Sequence, residues 1–335
     1  MNNKSYLEKG NTDCFKGLCA AMVVLCHLCS RTGIGEGIGL GAIYSALGYL
    51  GVSGFMFMSG FGLTVSLMMK GGGYLSAFLK KRVLPIYALM ALLSVIYYVL
   101  KTLLSEDAPE LGELIQSFIF GDTVISFGWY FQSIILIYLL YYVAAFYVTN
   151  ALKREAIQSS ICITVSIAMS LYVGLCLLMG LGTTWYETAL SFLAGVIVAS
   201  YKPSVDRILS SSRIAAFYLL LCSGVFVICF ILGNGPFLID PLKIALKMVS
   251  SATFCLTCVA LMSIISFETP LFAFFGKLYL EIYIIQGAVY LFLRNKYWYI
   301  ESQWLYFLIA MFSIVLCAYL TKPMITKFMQ FFKKL

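Results

Sequence analysis

Charge is scarce in this chain. Lys, Arg, Asp and Glu make up 11% of its 335 residues, whereas a soluble domain carries roughly 25%. With 61% of positions hydrophobic and a mean hydropathy of +0.93, that shortage excludes a soluble globular protein and leaves an integral membrane one. Histidine is scarcer still. His27 is the only one, so no chemistry that needs two imidazoles is available. Also missing are a small-residue cleavage site behind the first apolar run, which argues against a cleaved signal peptide, any linker and any internal repeat. The chain reads as one membrane domain over residues 1–335, with no soluble appendage.

What charge there is carries a net +8. Positive charge beside membrane spans usually sets topology, so nucleic-acid binding is not the reading. The eleven cysteines fall mostly inside apolar runs and read as small buried hydrophobes rather than a disulfide framework.

A span needs about 20 apolar residues. Ten runs qualify, near 14–30, 44–69, 83–104, 129–149, 157–179, 184–200, 214–232, 241–265, 278–293 and 303–321. The pattern predicts an all-α polytopic helical bundle. The fifth and sixth runs can also be drawn as one broken hairpin, and the short stretch 114–127 as an interfacial or re-entrant segment. If the N-terminus is cytoplasmic, 17 of the 23 basic residues lie inside, among them Lys4, Lys153 and Arg154, and the acidic loop from Glu106 to Glu110 lies outside. The positive-inside rule then puts both termini in the cytoplasm of a multi-pass cell-membrane protein.

The first run, DCFKGLCAAMVVLCHLCS from Asp13 to Ser30, contains Lys16 and His27 eleven positions apart. On a helix that separation closes to within about 20° of three full turns, so both residues share one face roughly 16 Å apart. A histidine inside a span is costly and usually functional. Its neutral ring can take a proton from a hydroxyl and return it to a leaving group. Thr12 and Asp13 read as helix caps.

Further candidates follow along the chain. The second run carries Gly48, Gly51, Gly54, Gly60 and Gly62 with Ser53 and Ser59 among them; such glycines suit close approach of a backbone or ligand. Lys80, Lys81 and Arg82 precede Pro85 and form either a topology signal or a phosphate clamp facing the cytoplasm. Gln132 is a polar intrusion behind the interfacial Trp129. Glu281 and Gln286 stand within the ninth run, where a carboxyl group normally faces a partner or cavity. Glu187, Asp240, Lys243 and Lys247 sit at run ends and read as solvated. Cys26/Cys29 and Cys255/Cys258 have metal-ligand spacing, but desolvating several thiolates in a membrane disfavours a metal, and none is expected.

Together these segments resemble the acyltransferase 3 family of membrane acyltransferases over most of the chain. Its opening basic residue, ten residues and histidine correspond to Lys16 and His27. Its Gly-Val-x-x-Phe-Phe-x-x-Ser-Gly-Phe segment corresponds to GVSGFMFMSGF, placing Ser59. KKRVLPIY, GWYF and GKLYLEIYIIQ resemble three further elements in the family's order. The resemblance implies transfer of an acyl group, most often acetyl, from cytoplasmic acyl-CoA to a hydroxyl of an extracytoplasmic glycan. In that scheme His27 is the base, alone or with Glu281. Lys16, Lys80, Lys81 and Arg82 hold the CoA phosphates. Ser59, Trp129, Gln132 and Gln286 face substrate or the oxyanion. Two departures stand out. Lys16 replaces the usual arginine, keeping charge without the planar fork, and Gln286 replaces a common second histidine and cannot titrate. A glycan or solute exporter is the alternative from another class, and a non-catalytic relative a third reading.

Overall fold

A computed structural model describes residues 6–35, 40–105, 107–120, 123–151, 157–236 and 238–334. Of the topology-setting residues, Lys4, Lys153, Arg154 and Glu106 lie outside the described residues. Thirteen α-helices are described: α1 (Lys9–Thr32), α2 (Gly41–Lys70), α3 (Leu84–Leu104), α4 (Leu111–Phe120), α5 (Trp129–Ala151), α6 (Ile157–Leu178), α7 (Ala189–Ser200), α8 (Lys202–Leu209), α9 (Ser212–Asn234), α10 (Asp240–Ile264), α11 (Pro270–Lys277), α12 (Tyr279–Leu293) and α13 (Gln303–Lys334). Among the described residues there is no strand, only an isolated bridge between Arg294 and Tyr299. The protein is all-α.

Eight of the helices are individually long and apolar enough to cross a membrane, and two bent pairs raise the number to ten. The segment Thr183–Ser200 meets α8 at 84°, and α11 meets α12 at 72°. The sixth and ninth runs therefore each abut a sharp bend, at Tyr201 and Leu278, while the fifth is the continuous α6. Of the short apolar stretch, residues 114–120 lie in the ten-residue α4 and 123–127 in the turn ahead of α5. At the other end of the chain α1 starts earlier than the periodicity suggested. Thr12 consequently lies inside the helix and donates to the Lys9 carbonyl (3.1 Å), and Asp13 pairs with Lys16 (3.5 Å); neither is a cap.

The helices fall into two compact units. The first comprises residues 1–22, 46–76 and 140–277, and its packing depends on glycine. A Cβ on Gly17 would lie 1.9 Å from the Phe272 carbonyl oxygen, and one on Gly276 would lie 1.7 Å from that of Asp13, so α1 and α11 touch backbone to backbone. The same holds for α2 and α7: a Cβ on Gly60 would meet the Phe192 oxygen at 2.2 Å and one on Gly195 the Phe57 oxygen at 2.1 Å. Gly62 has nothing within 4 Å, so only part of the α2 glycine run is used in this way. Two hydroxyl bridges tie α10 into this unit, Tyr49 to Ser250 (3.1 Å) and Ser191 to Ser251 (2.9 Å). Glu187, expected to be solvated, is buried just ahead of α7, whereas Asp240 is exposed as its helix-end position suggested.

The second unit comprises residues 23–45, 77–139 and 278–335. On α13 the fully buried residues Tyr306, Ala310, Ile314 and Ala318 recur every four positions, a single inward stripe on an otherwise outward-facing helix. Tyr97 on α3 donates to the Ile284 carbonyl of α12 (2.9 Å), and Ser94 bonds Ser117 of α4 (2.8 Å). All eleven cysteines are free thiols.

Because Gly195 opposes a carbonyl rather than a flexible side chain, Gly195→Val should lower stability by about 1–3 kcal/mol or more. The control Gly62→Ala should be near neutral. Melting of the detergent-solubilised variants measures both.

Candidate active site

His27 lies in the penultimate turn of α1, within the second unit. Its imidazole stacks on the ring of Phe127, with centroids 3.7 Å apart and planes inclined by 22°. Phe127 immediately precedes the Gly128 turn into α5 and is the one non-glycine residue with positive φ (65°) among the described residues. A bulky residue there is strained by about 1–3 kcal/mol and persists only where its surroundings enforce it. Those surroundings are visible. Tyr283 of α12 donates its hydroxyl to the Phe127 carbonyl, and the Phe127 ring meets Tyr290 edge-on at 6.4 Å. One helical turn past Tyr283, Gly287 leaves room for the neighbouring Ser126: a Cβ there would fall 2.6 Å from that side chain and 2.7 Å from the Tyr97 hydroxyl.

Tyr283, Gly287 and Tyr290 share one face of α12 at helical spacing. Gln286 borders that face. It is fully buried, donates to the Tyr283 carbonyl (3.2 Å) and keeps an amide oxygen with no hydrogen-bond partner among the described residues. Gln132 of α5 shows the same pattern, donating to the Ile119 carbonyl while its buried amide oxygen stays open. Trp129 is half-buried at the start of α5, edge-on to Tyr130 (6.1 Å). Glu281 is also buried, but it precedes Tyr283 by two residues, about 200° around the helix. It faces away from the His27–Phe127 stack, with Lys322 of α13 as an electrostatic partner. Glu281 and Tyr283 thus lie on opposite faces of α12.

A family model described as an acyltransferase domain matches residues 10–322, nearly the whole chain. The chain belongs to the acyltransferase 3 family. Neither a curated protein nor a solved structure matches it. In this membrane acyltransferase, the remaining motif residues are placed as follows. Lys16 is on the first-unit portion of α1, a quarter exposed and paired with Asp13. Ser59 lies on α2 in the same unit, half-buried. Lys80, Lys81 and Arg82 belong to the second unit and are all exposed on a π-helical turn, Leu79–Val83. Such wide turns are uncommon and recur at functional sites. Pro85 follows in the first turn of α3, as its position suggested. Among the described residues no group of three His, Cys, Asp or Glu is placed to hold a metal ion.

Sequence reasoning missed Phe127, Tyr290 and the roles of Tyr283 and Gly287. The last two lie within or beside the GKLYLEIYIIQ element, so the motif held a signal for them. Nothing in the Phe127-Gly128 pair announces a left-handed phenylalanine.

Since His27 is the only histidine, selective labelling reports on this site alone. Its ring protons should be shifted upfield by the stacked Phe127. Phe127→Gly, which accepts the positive φ without strain, should move them toward the shift of a free imidazole while the protein stays folded.

Proposed function

We propose that this acyltransferase moves an acyl group, acetyl in the first instance, from cytoplasmic acyl-CoA to a hydroxyl of an extracytoplasmic or lipid-linked glycan. The reading takes both termini as cytoplasmic and the cell membrane as the location. The observation that carries it is the sole histidine of a family acyltransferase, held in one orientation against a strained aromatic residue. Spending backbone strain to orient one ring makes sense for proton transfer, where geometry decides efficiency.

In the proposed reaction the His27 imidazole accepts the proton of the acceptor hydroxyl. The oxygen lone pair attacks the thioester carbonyl carbon, and a tetrahedral oxyanion forms. Collapse breaks the C–S bond, and the proton held by His27 passes to the departing CoA sulfur. Atoms and charge balance without a metal or a second titrating residue, so Gln286 in place of histidine is no obstacle. The open amide oxygens of Gln132 and Gln286 suit a polyhydroxylated acceptor, because each can accept a hydrogen bond that no group among the described residues supplies. Trp129 fits as a stacking surface for a sugar ring. Exposed lysine and arginine suit the phosphates of CoA, and in this reading Lys80, Lys81 and Arg82 hold them.

The test compares O-acetyl content of surface polysaccharide, by NMR, in cells carrying the intact gene, a deletion or His27→Ala. The same ester should vanish in both altered strains while the variant remains in the membrane at normal amounts. Retained acylation with His27→Ala would remove the histidine from the chemistry, and an altered amount of exported glycan with unchanged acylation would favour export. In kinetic assays, replacing Lys80, Lys81 and Arg82 together by alanine should raise KM for acyl-CoA about tenfold or more and leave kcat within about threefold.

A further inference from the structure

One turn beyond His27, Arg31 ends the same helix. A cation in a last turn is favoured by the helix dipole whatever else it does, and an interfacial arginine usually reaches out to lipid headgroups. Arg31 instead lies over aromatic rings, its guanidinium carbon 4.8 Å from the centroid of Tyr290 and 5.9 Å from that of Phe127. The Phe127 ring is the one stacked on His27. The Tyr306 hydroxyl lies within hydrogen-bond reach of Arg31, and the remaining N–H donors of its planar fork suit an oxyanion. Among the described residues no carboxylate lies within 4.0 Å of it.

A second arginine stands beside it with two of its donors committed to backbone. Arg294 donates from Nη1 to the Arg31 carbonyl (3.1 Å) and from Nε to the Ile300 carbonyl (3.1 Å), and it packs over Tyr306 (4.0 Å) and Tyr299 (4.8 Å). Arg294 thus fixes the end of α1 while adding positive potential. It also borders a cavity of about 270 Å³ whose polar lining includes Lys296, Asn295, Ser105 and one acid, Asp107.

We propose that Arg31 binds an oxyanion of the acceptor, the carboxylate of an acidic sugar or the phosphate of a phosphorylated one, and so selects an anionic glycan for acylation at His27. The four-residue step from one to the other rises about 6 Å, a separation that lets one sugar present its anion to Arg31 and a hydroxyl to His27. Arg294 is the positioning residue. The identity of the ligand rests on the acyltransferase reading; the anion site does not.

The experiment uses full-length protein in nanodiscs of neutral lipid, selectively labelled at His27, titrated with glucuronate, glucose phosphate and glucose. Expected are saturable shifts of the His27 signals with one or both anionic sugars and none with glucose. Glucuronate alone identifies a carboxylate, glucose phosphate alone a phosphate, and both the shared oxyanion. Arg31→Gln should weaken that binding about tenfold or more, and Arg31→Lys less, with unperturbed His27 shifts in the free protein showing the stack intact. Equal response to glucose, or unchanged affinity in a folded Arg31→Gln, would overturn the proposal. Anion binding that persists while His27→Ala leaves glycan acylation intact would spare the site and sink the acyltransferase reading instead.

Discussion

Helices in lipid gain nothing from hiding apolar side chains, since the surrounding tails are equally apolar, so association depends on how closely backbones approach. This protein meets that constraint with single glycines set against carbonyl groups. Gly17 and Gly276 join α1 to α11, and Gly60 and Gly195 join α2 to α7. A Cβ at any of them would overlap backbone, which cannot rotate away. The basic end of α1 owes its placement to the first of these contacts, because Gly17 follows Lys16 directly and Gly276 packs against Asp13, the partner of Lys16.

The second unit solves a different problem, the orientation of one ring. His27 is held through Phe127, whose left-handed backbone is pinned by Tyr283 from α12. Gly287 is small because Ser126 and Tyr97 need the space. Three residues on one face of α12 therefore act on the histidine without touching it. The same Phe127 ring lies against Arg31, so imidazole and guanidinium share a platform. A change in the 126–127 turn would disturb both.

Much of this was legible beforehand. Most hydrophobic runs mark their helices to within about five residues, though α13 continues past the tenth run to Lys334, because a membrane-spanning backbone must satisfy its hydrogen bonds internally and a helix is the local way to do so. The weight on His27 came from its being the only histidine and within a span. Breaks were harder to read. The bends at α7–α8 and α11–α12 fall at the edges of the sixth and ninth runs, where the hydropathy pattern ends without giving an angle. Glu187 looked solvated from its place at a run end and is buried, because burial there depends on which helices pack around it.

By itself the sequence determined the membrane class, the helical state, the family through ordered motifs and the identity of the titratable residue, all properties of composition and local spacing. Only the tertiary structure decided which side chains meet that residue. It chose Phe127 from 26 phenylalanines, gave it a backbone conformation that phenylalanine does not favour, turned Glu281 away and brought Arg31 over Tyr290. Those outcomes depend on the rotation of α12 relative to its neighbours. A contact between residues a hundred or more positions apart leaves no periodicity in the chain to read.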